Sequence, residues 1–405
     1  MPVSYTHDVP FFSLSSLLAH KRVALQCPDS PTPDSLAAAF GLFLFFKANG
    51  CTPHWFYCGP EPLSRPNALE MQRAFALTIR HEPDLQYWRG LLITVGCQYG
   101  AASLGKVTAD AVAVVDCHVP EGDQAVLGEI RPYLTSCSTI VHELLLQAEF
   151  PIDHTLGTAL RFGLYAASNA FSEIRFPVDK DMRDTVDHDP RLFLNLARSN
   201  LCPEDLSLTA KALCSLDFQT GDGMVISNLL PCDPELLRFI ADLALHVHGV
   251  DLSLVFMETD QGTRFSIRSV HREIHAGKAA AGLVADGLGA GGGDVEKGGG
   301  FISAAKYDAA FAPRPLTDFF RDALRAYRDA YDLFDCRSDA PLSPGVLHAY
   351  QKRPVLLAYV VCSRLFPKQT RLEVRMLEGD IVITVTPDTY LMIGLAGEVY
   401  PIRKK

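Results

Sequence analysis

The chain has 405 residues, 48% hydrophobic and 21% charged, enough apolar material for two or three buried cores. Its net charge of -10 disfavours binding to long duplex DNA, which depends on neutralising many phosphates. The longest apolar run, Leu36 to Phe46, is shorter than the roughly 20 residues of a membrane span, and no basic leader precedes a hydrophobic stretch, so a cytoplasmic location without membrane contact is expected.

In chain order, "RVALQC", "PHWFYC", "LLITVG" and "AVAVVD" read as buried strands, rich in β-branched or aromatic residues and followed by turn chemistry or a charge. Between them lie helical stretches, the clearest from Asp34 to Asn49, with Asp34 as N-cap and Gly50 as stop. This alternation predicts a parallel sheet covered on both faces, with ligands at the carboxyl ends of its strands, over residues 1–175. Residues 176–218 read as a helical connector. A second, smaller α/β unit over 219–315 follows, with strands at "GMVISNLL", "VDLSLVFMET" and "TRFSIRSV" and a helix at "DPELLRFIADLALHVHG". Eight glycines between Gly287 and Gly300 follow an Ala-rich helix, a context that predicts a backbone-lined anion loop. Residues 316–405 read as a helix, "LTDFFRDALRAYRDAYDLF", whose aromatics pack as core, and then a small β-rich domain.

The eleven cysteines are scattered, mostly in apolar segments, which points to reduced core thiols. Cys27, Cys97 and Cys117 fall at or near strand ends beside His118, a set whose chemistry suits zinc although its spacing matches no zinc motif.

Over residues 20 to 305 the chain resembles the DHH phosphoesterases, which include RecJ-like exonucleases, nanoRNases, the phosphatase for adenosine 3',5'-bisphosphate and family II pyrophosphatases. The residues that carry the resemblance are "CPDSPTPDSLAAAFGL", "LLITVGCQYG", "VAVVDCHVP", "SCSTIVHELL" with its helix start at Ser138 and Thr139, "GLYAASNAF", "FSIRSV" and "GAGGGDVEKGGGFIS". The resemblance implies a two-lobed α/β fold and a pair of metal ions, usually manganese, that activates water and neutralises phosphoryl oxygens. Laid on the family pattern, Asp34 is the surviving ligand of the first motif, while Pro28 and Thr32 stand at its other two ligand positions. The strand-ending Asp falls on Gly96, or on Cys97 in a register shifted by one. The namesake motif reads Asp116-Cys117-His118, with a cysteine where the metal-binding His belongs. Ala167 stands at the fourth Asp. Weak metal candidates are therefore Asp34, Cys97 and Cys117, and the family-equivalent remnants are Asp34, Asp116 and His118. On the substrate side the resemblance implies contacts from His118, Arg268, Ser269, Gly291, Gly292 and Gly293, with Asp294 at the loop's usual His; His271, Arg272 and His275, close to Arg268 in the sequence, read equally as a small basic patch or as a solvated helix start.

The leading expectation is a degenerate, non-hydrolytic homologue that binds a nucleotide or short oligonucleotide in an interlobe cleft, in a regulatory or scaffolding role. No cofactor is then expected. An alternative is an active phosphoesterase acting on short oligoribonucleotides or nucleoside bisphosphates through a rearranged manganese site. A second alternative is a structural assembly protein that meets a partner through its C-terminal domain. A homodimer is compatible with each.

Overall fold

The computed structural model describes residues 12–330 and 351–403, apart from 102, 121–126, 175, 215, 220–222, 271–273, 294, 352–353 and 395–397. By contact density the chain divides into one unit formed by residues 1–201 with 352–405 and another formed by 202–351.

The first unit contains, in order, α1 (Leu14–Leu17), β1 (Val23–Gln26), α2 (Pro33–Ala48), β2 (His54–Tyr57), α3 (Pro66–Ala74), β3 (Arg80–His81), β4 (Tyr87–Val95), β5 (Thr108–Asp116), β6 (Leu127–Ile130), α4 (Cys137–Gln147), α5 (His154–Ala167), α6 (Pro177–Thr185) and α7 (Pro190–Ala197). Its sheet has the order β3-β2-β1-β4-β5-β6, and each neighbouring pair runs parallel. The order reverses between β1 and β4, and the carboxyl ends of strands at such a reversal are where doubly wound sheets hold ligands. All four predicted strands are present, at β1, β2, β4 and β5.

Helix α2 is apolar all round, and α3, α4, α5 and β4 pack against it. Small residues let the three helices close up. A Cβ on Gly41 would lie 2.9 Å from Val141 Cγ1, and one on Gly163 would lie 2.1 Å from Ser138 Oγ. The N-cap of α2 is Thr32, whose hydroxyl accepts from the Ser35 amide at 3.2 Å while the Ser35 hydroxyl accepts from the Thr32 amide at 3.0 Å. Asp34 is thereby freed from the capping role expected of it, and it sits one residue inside the first turn.

The second unit contains α8 (Pro203–Cys214), β7 (Asp217–Gln219), β8 (Met224–Leu229), α9 (Pro234–Ala244), β9 (Leu252–Thr259), β10 (Gly262–Ser269), α10 (Ala276–Leu283), β11 (Gly289–Gly293), β12 (Lys297–Ser303), α11 (Ala304–Phe311) and α12 (Leu316–Asp329). Its sheet runs β11-β12-β10-β9-β8-β7 and is antiparallel except between β8 and β9. Phe319, Phe320 and Leu324 of α12 are buried in this core, as the aromatic spacing predicts; the helix's sequence-predicted end lies outside the described residues.

The glycines expected to form an anion loop instead form two paired strands, with Gly291 opposite Gly300, Gly292 opposite Gly299 and Gly293 opposite Gly298. The physical reason is packing. A Cβ on Gly298 would lie 2.4 Å from the Ala276 carbonyl oxygen, and one on Gly277 would lie 2.2 Å from that of Gly293, so α10 lies backbone against backbone on the ribbon.

The remaining elements are β13 (Ala358–Val361), α13 (Cys362–Leu365), β14 (Arg371–Arg375), β15 (Asp380–Thr384), β16 (Thr389–Ile393) and β17 (Val399–Arg403). They form a sheet β13-β16-β17 and a hairpin β14-β15. Arg375 reaches Asp181 at 2.9 Å and Asp184 at 3.0 Å, tying the hairpin to α6. Among the described residues no helix is long and apolar enough to cross a membrane.

Candidate functional site

Three chain segments converge at the carboxyl end of the first sheet. The start of α2 brings Asp34, the end of β5 brings Asp116, Cys117 and His118, and the start of α4 brings Cys137 and Ser138. Asp34 is buried, and its carboxylate accepts from the Cys137 amide at 2.8 Å, the Ser138 amide at 2.9 Å and the Ser138 hydroxyl at 2.6 Å. An aspartate from one helix thus neutralises the amino end of another, where backbone N–H groups point outward without intrahelical partners. Burial raises the Asp34 pKa, and the Ser138 and Cys137 donors pull it back.

Asp116 is equally engaged. Its Oδ1 accepts from the Cys117 amide at 2.9 Å and faces His118 Nδ1 at 2.7 Å, and its Oδ2 accepts from Gln98 Nε2 at 3.1 Å. Gln98 also donates to the Val119 carbonyl at 3.0 Å, which clips the turn after β4 to the turn after β5. The hydrogen bond to Asp116 is the main reason the His118 pKa rises from 6.5 to about 10. The His118 side chain is 70% exposed, so at neutral pH it presents a held imidazolium to solvent.

The two cysteines next to these carboxylates meet. Cys117 Sγ and Cys137 Sγ are 3.5 Å apart, and Cys137 Sγ lies 3.9 Å from Asp116 Oδ1. Contact with Cys117, and then burial, push the Cys137 thiol well above its ordinary pKa. Ligand atoms of Asp34, Cys117 and Cys137 all lie within 4.8 Å of one another, as do those of Asp116, Cys117 and His118. Cys137 was not among the residues singled out from the sequence, because the segment "SCSTIVHELL" reads as a helix start. A cysteine in the first turn of that helix was the available signal.

Cys27 and Cys97 belong to neither group. Cys27 Sγ accepts from Trp55 Nε1 at 3.3 Å inside the core, and burial raises its pKa to about 12. Cys97 is buried, and its thiol is likewise pushed well up by burial. Gly96 takes φ +78 at the end of β4, and a Cβ there would meet Ser35 Cβ at 2.9 Å, so this turn suits glycine. Ala167 ends α5.

These residues do not fit a pair of manganese ions. Hard divalent ions need many oxygen or imidazole donors. Here Pro28, Gly96 and Ala167 offer no side-chain donor, the Thr32 hydroxyl caps α2, and a thiol stands in the histidine position. A carboxylate has about four lone-pair sites, and hydrogen bonds already take three on Asp34.

In the second unit Arg268 is buried at 5% exposure; its Nε pairs with Asp242 at 2.6 Å, and its Nη1 donates to Ser266 Oγ at 2.8 Å and to the Ile267 carbonyl at 3.0 Å. Ser269 is buried, and its amide donates to the Glu296 carbonyl at 2.9 Å. His275 caps α10, accepting from the Lys278 amide at 3.3 Å. His271, Arg272 and Asp294 lie outside the described residues.

No family model and no curated protein matches the sequence. Among solved structures, the chain is similar to an exopolyphosphatase-related protein from Bacteroides fragilis, with 15% identity over 78% of this chain and 95% of that one and a TM-score of 0.55. It also aligns with a putative family II inorganic pyrophosphatase from Methanococcus jannaschii, at 15% identity over 74% and 99% of the two chains and a TM-score of 0.33. A third is a pGpG-specific phosphodiesterase from Vibrio cholerae, at 12% identity over 75% and 99% and a TM-score of 0.33. The shared architecture rests on the first of these, and at that identity the likeness is one of fold: the chain is an α/β protein with the DHH phosphoesterase fold.

Proposed function

We propose that the protein is a non-hydrolytic member of this fold that binds a nucleotide or short oligonucleotide in a regulatory or scaffolding role. The observation that carries the reading is the fate of Asp34. A carboxylate in the position of a metal ligand gives three of its about four lone-pair sites to the start of α4, too many for it to bridge two ions, and the positions around it lack the donors that a two-metal site needs. Support for an anionic ligand comes from His118, which Asp116 keeps cationic and which is exposed at the carboxyl end of β5. A fixed imidazolium in a sheet crevice is a natural partner for a phosphate oxygen.

The test is calorimetry with mononucleotides, dinucleotides and cyclic dinucleotides, run beside an assay of short-RNA hydrolysis with manganese. Binding without turnover, weakened about tenfold or more in His118→Ala, is the expected result. No binding to any of the three ligand classes overturns the reading. Manganese-dependent release of mononucleotide that Asp116→Asn abolishes overturns it in the other direction and makes the protein a phosphoesterase with a rearranged site.

A further inference from the structure

We propose that Cys117, Cys137 and Asp34 form a mononuclear zinc site, with a fourth coordination position open toward solvent. The inference stands independently of what the crevice binds.

The geometry is that of a site needing little rearrangement. Two sulfurs on one tetrahedral zinc, at bonds of about 2.3 Å, stand about 3.8 Å apart, and Cys117 Sγ and Cys137 Sγ are already separated by 3.5 Å. A carboxylate oxygen of Asp34 lies within 4.8 Å of both sulfurs. Of Asp34's lone pairs, the three accepted hydrogen bonds leave about one, enough for a single monodentate bond though not for a bridge between two ions. The bonds that satisfy Asp34 also fix its position, as outer partners do for metal ligands. Cys137 is the first residue of α4, an eleven-residue helix, so its place in the site is fixed by the helix start that Asp34 holds.

The donor set selects the metal. Two thiolates and one carboxylate suit zinc and disfavour manganese, which prefers oxygen. Access is provided at Cys117, which is half-buried, whereas Cys137 and Asp34 are buried. His118 lies beside this opening, with Nδ1 held by Asp116, so the Asp116–His118 pair borders the open position.

The experiment uses the full-length protein purified under reducing conditions, stripped of metal and titrated with zinc, then with cobalt(II). About one zinc per chain is expected, with a cobalt spectrum that carries thiolate-to-metal charge-transfer bands. Cys117→Ser and Cys137→Ser should each lower zinc affinity by more than about 100-fold and remove charge-transfer intensity. Cys214→Ser, at an exposed cysteine elsewhere, should leave both unchanged. Absence of zinc binding overturns the proposal, as does cobalt binding without thiolate bands, or zinc retained in the Cys117→Ser, Cys137→Ser double variant. Should Cys137→Ser fail to fold, the wild-type cobalt spectrum and the half-buried Cys117→Ser still decide.

Discussion

At the scale of single residues, the first unit holds its ionisable groups by specific partners, and His142 illustrates what happens where burial dominates. It lies on α4 at 8% exposure, and desolvation lowers its pKa from 6.5 to about 4. A lowered histidine pKa means that the unfolded chain takes up a proton below about pH 6.5 that the folded chain refuses until about pH 4. Stability tied to this residue is therefore fully present above pH 6.5 and is lost as the pH falls toward 4. Between about pH 7 and about pH 5 the expected loss is about 2 kcal/mol. Urea unfolding at the two pH values should show that His142→Leu removes most of that difference; an equal loss in the variant would refute the assignment. Residue identities alone marked Asp34, Asp116, His118 and Cys117 as neighbours of a site, since they fall where a known motif places them. They did not reveal that Asp34 is committed to the start of α4, because the Cys137 and Ser138 amides that occupy it lie 103 and 104 positions away in the chain.

At the scale of elements, strands buried on both faces were easy to read and short edges were not. The runs at β1, β4 and β5 announce themselves by continuous apolar β-branched residues, whereas β3 has two residues, Arg80 and His81, and no period to detect. The glycine ribbon shows the opposite failure. Repeated glycine suggests a loop by its conformational freedom, yet here the missing side chains serve a close approach between α10 and the β11–β12 pair. This predicts that Gly298→Ala, whose Cβ would meet the Ala276 carbonyl oxygen at 2.4 Å, destabilises the second unit by roughly 1–3 kcal/mol. Gly282→Ala, with open space around its Cβ, should be neutral or stabilising. Denaturant midpoints of the two variants provide the comparison, and equal midpoints would show that the ribbon yields to α10 without strain.

At the scale of the whole molecule, the first unit is assembled from two distant stretches of chain. The later stretch is joined to α6 by the ion pairs of Arg375 with Asp181 and Asp184. Partly exposed pairs of this kind contribute about 1 kcal/mol or less, so the hairpin steadies α6 without deciding the stability of the sheet. A chain ending at residue 351 should accordingly show faster amide exchange in α6 and unchanged protection in β1, β4 and β5. Unaltered exchange in α6 would mean that the hairpin adds nothing there.

The divided first unit also has a consequence for the order of events on the ribosome. Residues 202–351 must be made before the later stretch of that unit appears. At roughly 5–20 residues per second this imposes a wait of about 8–30 s. During that interval the parallel sheet must hold its shape without the hairpin, with Asp181 lacking Arg375 and Asp184 paired with Arg183 alone. A nascent chain of this protein therefore depends early on contacts such as Asp34 with Cys137 and Ser138, all of which have emerged by the time α5 is complete.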